Sequence, residues 1–438
     1  MTARLTPPTG VLTIARTLEK AGYETWCVGG AVRDALLGHA HLDWDLATAA
    51  RPERIRSLFP RTVPVGIRFG TIGVLDDRGV LHEVTTFRRD VKTDGRHAEV
   101  EFGASLHEDL ARRDYTINAI AYSPSKGEIS DPFEGRADIA RGIVRSVGDP
   151  EDRMREDRLR SLRAMRFAAR FGFAIEPATW RAIVHSAPDL GRLSPERVKQ
   201  EIEKTIEQVR HPGIAFTMWQ KSGAFGTLVP HLAGASAVEL ATIDNLPLPD
   251  ALGVLRRPAR RTMRLIALFA AAPSGTVLGT LRDLRFSNSD AAWISDIVTQ
   301  WGVMQREMRF AMLSPGPPSD AVLRRWAAKT GRTRLASLLR LAGARWSAER
   351  AAGIDAPSAS RVASVYRRGV RIAFRDAIEI SDLAVNGRDL EKLGITGPAV
   401  GHTLRTLLET VINDPSSNSR DTLLSIVERG ERTSDGEG

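Results

Sequence analysis

The spacing of apolar and polar residues divides the chain into a strand-rich first third and a helical remainder. A short apolar run at residues 26–28 predicts a buried strand, and residues 31–37 follow with helical character. Further strands are predicted by the alternating or apolar runs at residues 62–65, 71–75 and 81–87. Beyond about residue 210 the apolar positions recur with helical spacing. We therefore expect a small mixed sheet flanked by helices, followed by an all-helical region.

A glycine turn separates the first predicted strand from its helix. Gly29 and Gly30 precede that helix, whose free backbone N–H groups and positive dipole end attract phosphate. Gly30 lets an anion approach the backbone because it has no Cβ atom. Arg33, one turn into the helix, can donate two hydrogen bonds to phosphate oxygens. The turn is therefore a candidate phosphate site, although a glycine pair before a helix is also an ordinary turn.

An acidic pair lies on the next predicted strand. Because successive strand side chains alternate, Asp43 and Asp45 are expected on one side and Trp44 on the other. Neighbouring carboxylates repel each other when both are ionised, and a divalent cation removes that cost. Oxygen-only ligands suit Mg²⁺. A phosphate-binding turn followed by metal-binding aspartates is typical of a nucleotidyl transferase, whereas such an aspartate pair alone is more often a solvated strand edge.

The segments V-G-G-A-V-R-D-A-L-L-G and L-D-W-D-L-A-T resemble the head-domain signature of one enzyme family, the class II tRNA nucleotidyltransferases and bacterial poly(A) polymerases. Its members add CCA or poly(A) to RNA 3′ ends without a nucleic-acid template. The resemblance implies an α+β fold, with a DNA polymerase β-like mixed-sheet head followed by an all-helical neck, body and tail. The expected domains are a catalytic head (1–145), a base-recognition neck (146–212), a tRNA-binding body (213–375) and a tRNA-binding tail with a disordered end (376–438).

The family's R-R-D-x-x-x-N motif matches residues 112–118 of this chain. The resemblance places Arg113 near the nucleotide triphosphate. Asp114 and Asn118 share one face if the stretch is helical, which suits hydrogen bonds to a pair of ribose hydroxyls. In isolation, the same residues are also typical of a salt-bridged surface helix.

The family's base-recognition motif, E-D-x-x-R, matches residues 156–160. Cytosine and adenine present an amino donor beside a ring-nitrogen acceptor. Asp157 can accept from that amino group and Arg160 can donate to that nitrogen, whereas guanine and uracil present the opposite polarity. A bidentate contact of this kind discriminates by about 1–3 kcal/mol per base. Arg163 and Arg166, on the same helix face, are expected to neutralise the triphosphate or help to position the base.

Three further segments carry predictions of their own. Glu83 faces either the aspartate pair, as a third metal ligand, or solvent at a strand edge. Residues 88–98 are polar and aperiodic, which predicts a mobile loop. Loops at this position are implicated in the family in switching from C to A addition. The family's last neck motif, S-x-E-R-x-x-x-E, matches residues 194–201, and its Glu196 and Arg197 are expected to brace the neck rather than touch substrate.

The net charge and the cysteine content limit the class of protein. The formal charge of +9 suits a polyanionic partner such as RNA, and arginines crowd residues 256–264 and 321–346. The single cysteine, Cys27, excludes a disulfide framework and cysteine-based zinc sites. No apolar run reaches 18 residues and no signal segment is evident, so we expect a soluble, cytoplasmic protein without membrane contact.

Together these features predict a CCA-adding enzyme that uses CTP and ATP on the 3′ acceptor end of tRNA. Mg²⁺ held by Asp43 and Asp45 would be its cofactor, and the sequence carries no information on protein partners. A poly(A) polymerase, or an enzyme that adds only CC or only A, is the alternative within the family. A non-catalytic tRNA-binding protein is the alternative from another class.

Overall fold

The structure is a computed structural model that describes residues 5–39, 43–93, 98–246 and 259–434. It forms two compact units, Met1–Ala233 and Gly234–Gly438, called here the N-terminal and C-terminal units. None of the helices within these described ranges is long and apolar enough to cross a lipid bilayer.

The N-terminal unit holds every described strand. The strands are β1 (Thr25–Val28), β2 (Asp45–Thr48), β3 (Thr62–Gly66), β4 (Thr71–Leu75), β5 (Leu81–Thr86), β6 (Arg88–Thr93), β7 (Ala98–Phe102), β8 (Ala121–Ser123), β9 (Glu128–Ser130), β10 (Ile143–Val144) and β11 (Ala174–Ile175). The helices are α1 (Thr9–Lys20), α2 (Gly30–Leu36), α3 (Pro52–Leu58), α4 (Leu106–Ala111), α5 (Gly135–Arg141), α6 (Pro150–Glu156), α7 (Leu159–Phe171), α8 (Pro177–Ser186), α9 (Pro195–Gln208), α10 (Pro212–Ser222) and α11 (Ala224–Leu228).

A seven-stranded mixed sheet forms the centre of this unit, in the order β3-β4-β5-β2-β1-β8-β9. Strands β2 and β5 are parallel, with Leu46 opposite Val84, and the other neighbours are antiparallel. Strands β1 and β2 pair so that Val28 lies opposite Asp45. This register places the turn after β1 beside the first residue of β2. The predicted α+β head with a mixed sheet is therefore confirmed.

Apolar side chains cover both faces of the central strands. One cluster includes Cys27, Leu46 and Val84 and packs against α1 and α3. A second, smaller cluster includes Val28 and Ala47 and packs against α4. Burying the side chains of β1 and β2 on both sides stabilises the sheet and fixes its register, because a one-residue slip would exchange the two faces.

The C-terminal unit is helical throughout its described residues. Its helices are α12 (Ala237–Thr242), α13 (Ala259–Phe269), α14 (Ser274–Asp283), α15 (Asn288–Leu313), α16 (Asp320–Thr330), α17 (Arg332–Ala351), α18 (Ala359–Arg375), α19 (Gly387–Glu391), α20 (Pro398–Asn413) and α21 (Arg420–Ser434). The last helices close over a cluster that contains Leu390, Leu407, Val411 and Leu423.

Two segments differ from the sequence-based expectation. The predicted loop at 88–98 contains strand β6, which pairs antiparallel with β7, while residues 94–97 lie outside the described part. The two strands are joined partly by an exposed ion pair between Arg89 and Glu101 at 2.8 Å, and the polar sequence of β6 lacks the apolar alternation that predicts a strand. The tail end, expected to be disordered from 431, continues α21 to Ser434, because Leu423 and Val427 anchor that helix in a core.

The basic segment at 321–346 is largely neutralised by acidic residues from elsewhere in the C-terminal unit. Arg324 donates from Nε to Asp376 Oδ2 at 2.7 Å, and Lys329 lies 2.9 Å from Glu307 Oε2. Further pairs join Arg332 to Asp382 and Arg334 to Asp296. Because these partners are distant in sequence, the segment looks free of acidic neighbours when it is read alone. Of the other basic zone, residues 256–258 lie outside the described ranges.

We expect Arg324→Met to lower the free energy of unfolding by about 1–3 kcal/mol. Arg324 is 8% exposed, and its Nη1 donates to the carbonyl of Ile412 at 2.9 Å. The substitution therefore leaves that buried carbonyl and Asp376 without their donor. Urea unfolding of the full chain measures the change. Arg325→Met, at a neighbouring side chain that is 39% exposed, is the matched control and should shift the value by less than about 1 kcal/mol. Equal losses in both variants would contradict a specific role for Arg324.

Candidate active site

The glycine turn is built as the sequence predicts, and its geometry requires glycine. Strand β1 ends at Val28, Gly29 has a φ of 75°, and α2 begins at Gly30. A Cβ atom on Gly29 would lie 2.9 Å from Nη1 of Arg113. Residues other than glycine are strained at this φ and would also displace the guanidinium. The turn therefore brings the backbone of Gly29 and the charge of Arg113 together beside the start of β2.

Arg33 is buried rather than directed at open solvent. It is 3% exposed, and its Nε donates to Asp34 Oδ1 at 2.8 Å while Nη1 donates to Asn118 Oδ1. The guanidinium also stacks over the rings of Phe167 and Phe171, with its carbon 5.0 and 4.7 Å from their centroids. Burial lowers the pKa of Arg33, and Asp34 partly offsets this effect. Phosphate binding by Arg33 stays a prediction, whereas its contact with α7 is observed.

The two aspartates flank a buried tryptophan. Trp44 is 3% exposed and belongs to the core, Asp43 is exposed, and Asp45 is half-buried. Strands β2 and β5 run parallel, with Leu46 opposite Val84. Asp45 and Glu83 each come one residue earlier, so they lie beside each other on adjacent strands. Burial raises the pKa of Asp45 to about 7, and the negative charges of Asp43 and Glu83 add to the shift. Ionising Asp45 therefore costs free energy, and the negative charges of Asp43 and Glu83 increase that cost.

These carboxylates suit a hard divalent cation, although they do not form a closed cage. Their donors are all oxygen, and a cation beside Asp45 would remove the repulsion that raises its pKa. Within the described ranges, no three Asp, Glu, His or Cys side chains converge closely enough to bind a metal. Asp43 and Asp45 therefore fit a metal site that a cation and its other ligands would complete. Glu83 as a third ligand stays a prediction.

The R-R-D-x-x-x-N segment is not one continuous helix. Helix α4 ends at Ala111, and a 3₁₀ turn follows at Thr116–Asn118. Asp114 and Asn118 nevertheless meet, because Asn118 Nδ2 donates to Asp114 Oδ1 at 2.8 Å. Arg163 donates from Nε to Asp114 Oδ2 at 2.9 Å. Burial alone would raise the pKa of Asp114, but Arg163 and Asn118 together lower it to about 2, so this buried group stays ionised.

The arginines of α7 are tied to acidic partners inside the N-terminal unit. Arg163 pairs with Asp114 as described. Burial alone would lower the pKa of Arg163, but the negative charges of Asp114 and Glu201 outweigh it and raise that pKa. Arg166 is 3% exposed and donates to Glu201 Oε1 at 2.5 Å and to Gln208 Oε1 at 3.1 Å. Both guanidinium groups lie over the ring of Phe167, at 5.2 and 4.5 Å. The basic stripe that the sequence shows is therefore partly buried and fixed in place.

The two predicted base-recognition residues are held by different neighbours. Asp157 accepts from Nη2 of Arg197 at 3.0 and 2.8 Å, through its two carboxylate oxygens. Arg160 donates to Glu156 Oε2 at 2.7 Å and to the backbone carbonyl of Arg112 at 2.9 Å. Their side chains are therefore positioned by separate partners, while the backbone N–H of Arg160 donates to the carbonyl oxygen of Asp157 at 3.0 Å.

Three contributors to the site lie outside the residues that the sequence singled out for substrate. Arg197 was expected only to brace the neck, yet it holds Asp157. Asp109 is buried and binds Arg113 at 3.2 Å, and although burial would raise its pKa, the two adjacent arginines lower it. Phe167 supports the guanidinium groups. The signals that could have found them are the arginine of the S-P-E-R motif, an acidic residue one turn before Arg113, and an aromatic residue between two arginines.

Comparison with known proteins gives the same picture. Residues 25–145 match the family model of the poly(A) polymerase head domain, and residues 172–235 match the model described as a probable RNA and SrmB-binding site of polymerase A. CCA-adding enzymes of Leuconostoc mesenteroides and Geobacillus stearothermophilus are each 48% identical to 44% of this chain. In these matches the chain spans 48% of the relative, about half its length.

Other relatives match along almost the whole chain. A CCA-adding enzyme of Lactobacillus delbrueckii subsp. bulgaricus is 33% identical over 416 residues, which cover 94% of this chain and 95% of the relative. The crystal structure of the Bacillus stearothermophilus CCA-adding enzyme in complex with CTP has a TM-score of 0.72, 32% identity and full coverage of both chains. That of the Thermotoga maritima enzyme complexed with tRNA has a TM-score of 0.64 at 19% identity, covers 95% of this chain and 94% of the other, and shows the shared fold. The chain therefore belongs to the family of the CCA-adding enzymes, as the sequence resemblance implied.

Proposed function

We propose that this chain is a template-independent tRNA nucleotidyltransferase that adds or repairs the 3′-terminal CCA with CTP and ATP. The observation that carries the proposal is the coupled pair Asp43 and Asp45 beside the glycine turn at Gly29 and Gly30, a site for metal and phosphate chemistry. Family membership supports it, since one relative is solved with CTP and another with tRNA.

The metal in this proposal is Mg²⁺ at Asp43 and Asp45. The family is generally metal-dependent, and the identity of the ion follows from the oxygen-only donors. When bound, such an ion activates the attacking 3′-OH of the RNA and stabilises the departing pyrophosphate. The chain's own residues orient the nucleotide: Arg113 supplies positive charge beside the turn for the triphosphate, and the Asp114–Asn118 pair offers hydrogen bonds to the ribose.

The choice of base rests on Asp157 and Arg160. Each carboxylate oxygen has more than one lone pair, so Asp157 can accept from the amino group of cytosine or adenine while Arg197 holds it in place. Arg160 is 8% exposed and keeps a fixed direction through its bonds to Glu156 and Arg112. A fixed donor beside a fixed acceptor replaces the template base, because uracil and guanine would present like polarity to both.

A basic surface on the C-terminal unit supports tRNA as the partner. Arg367, Arg371 and Arg375 are exposed and recur every four residues along α18, so they share one face of the helix. Their rise of about 6 Å per step suits contacts with successive phosphates. The proposal places the protein in the cytoplasm, where tRNA is its substrate and where a reduced, buried Cys27 is expected.

Chelation of divalent cations is expected to abolish nucleotide incorporation. Without a cation, Asp43 and Asp45 have no partner to activate the RNA 3′-OH, whereas arginine contacts with phosphate do not depend on a metal. Incorporation of labelled CTP is measured with excess EDTA and again after Mg²⁺ is restored, and tRNA binding is measured by filter retention under both conditions. Incorporation that persists in excess EDTA would contradict the proposed metal chemistry.

The proposed activity is tested directly with three tRNA substrates, ending before CCA, after C and after CC. Each nucleoside triphosphate is supplied separately, and the products are sized at single-nucleotide resolution. We expect C, C and A to be added in that order and addition then to stop. Long A tracts on varied RNAs would instead identify a poly(A) polymerase, a stop at CC or addition of A alone would identify a partial enzyme, and binding without incorporation would identify a non-catalytic protein.

A further inference from the structure

Strand β3 and the start of β5 expose apolar side chains that no described neighbour covers. Val63 is 40% exposed, Val65 is 45% exposed and Leu81 is 41% exposed. Every residue of β3 is exposed or half-buried, whereas β2, three strands away, has three buried residues of four. Clustered exposed apolar side chains commonly mark a binding surface. We call Val63, Val65 and Leu81 the apolar patch.

The patch is continuous across three strands because Gly73 lies beneath it. A Cβ atom on Gly73 of β4 would lie 2.9 Å from Cγ2 of Val65 and 2.7 Å from Cδ1 of Leu81. The side chains from β3 and β5 therefore close over the glycine from both sides. Any larger residue at position 73 would separate them, so glycine creates an unbroken apolar surface at this point of the sheet.

The patch lies on the same face of the sheet as the proposed metal ligands. Gly73 pairs with Glu83, and residues 81 and 83 of β5 point to one side because strand side chains alternate. Asp45 occupies the position beside Glu83 on β2. Since neighbouring strands are about 4.8 Å apart, the glycine beneath the patch lies about 10 Å from Asp45 across the strands. That separation is comparable with the length of one nucleoside.

We propose that the apolar patch binds the base and ribose of the terminal nucleotide of the acceptor RNA. This inference rests on the proposed function, in which the RNA 3′-OH must reach Asp43 and Asp45. The nucleoside that carries this hydroxyl then has to lie within one nucleoside length of the carboxylates, and the patch is an exposed apolar surface at that distance on their face of the sheet.

The chemistry of the patch suits a terminal base that changes as the reaction proceeds. During CCA addition the acceptor ends successively in the original last base, in C and in a second C. Contact with apolar side chains is tolerant of base identity, because every base presents an apolar face. The nearest hydroxyls on this face, those of Thr71 and Thr85, hydrogen-bond to each other at 3.0 Å. The surface therefore holds a nucleoside without selecting among bases, and selection is left to Asp157 and Arg160.

The test is the double substitution V65T/L81T, made in the full chain. We expect KM for tRNA to rise about fivefold, with KM for CTP and kcat at saturating tRNA unchanged. The rise should be similar for tRNAs ending before CCA, after C and after CC. Val80→Thr is the matched control, because Val80 is 49% exposed in the turn between β4 and β5, outside the apolar patch, and its KM values should equal those of the wild type.

Val65→Tyr keeps the inference falsifiable if the double variant is poorly folded, because it enlarges the patch and is expected to lower KM for tRNA. Unchanged KM for tRNA in both variants would overturn the inference. So would a change confined to one terminal base, or a change in oligomeric state by sedimentation without a change in KM. A wild-type protein that adds neither C nor A would overturn the proposed function itself, which is a different result.

Discussion

Asp43→Ala and Asp45→Asn should each lower kcat for C and A incorporation by roughly 10³-fold or more. Each removes one of two carboxylates whose joint negative charge is proposed to hold the catalytic cation. The pKa of Asp45 is raised by burial and by the negative charges of Asp43 and Glu83, so these carboxylates repel one another in the folded chain. Removing one charge therefore relieves repulsion, and thermal unfolding should occur at the same or a higher temperature.

The measurement pairs single-turnover incorporation of labelled CTP with tRNA binding by filter retention. Binding should persist in both variants because it depends on other surfaces. Asp77→Ala, which removes an exposed acidic side chain from the turn between β4 and β5, is the matched control and should retain full activity. Lost tRNA binding with retained incorporation would reverse the role that we assign to the pair.

Asp157→Asn should reduce the preference for C over U by about 10- to 100-fold. The amide adds donors where the carboxylate offers only acceptors, so it can face the carbonyl oxygen of uracil as readily as the amino group of cytosine. Arg197→Met should cause a smaller loss of the same kind, because Asp157 then keeps its chemistry but loses the two hydrogen bonds that orient it.

Competition between CTP and UTP on a tRNA that lacks CCA gives the ratio of kcat/KM values directly. Asp152→Asn is the matched control, since its carboxylate is 58% exposed and pairs with Arg155. It should leave the ratio unchanged. Wild-type selectivity in Asp157→Asn would show that base choice lies elsewhere in the molecule.

The sequence predicted those parts of the site that depend on local chain geometry. The glycine turn and a buried Trp44 between two aspartates were expected from short-range rules of turn formation and side-chain alternation, and the structure has both, although β2 begins only at Asp45 and Asp43 and Trp44 precede it. The mixed sheet was predicted from the apolar runs, because a strand with one buried face has apolar and polar residues in alternation along its sequence. These features need no knowledge of distant residues.

The directions of the arginine side chains could not be predicted in the same way. Arg33 and Arg166 were expected at phosphate or base, and both are turned toward buried partners. Glu201, the partner of Arg166, lies on a different helix, and its distance along the chain gives no sign of the contact. A stripe of arginines on a helix reveals the face they share, but only tertiary packing decides which of them meet carboxylates.

The paired arginines also limit what electrophoretic behaviour can reveal about this protein. An isoelectric point counts every guanidinium alike, yet Arg166 and Arg324 are bound to carboxylates within the fold and have little charge left to attract a polyanion. Replacing either by lysine would leave the isoelectric point almost unaltered. Lysine would nevertheless lose the planar, forked donor geometry that these carboxylates and carbonyls require. Replacement of these arginines by lysine during evolution would therefore weaken the contacts that hold the helices together while the net charge of the protein stays the same.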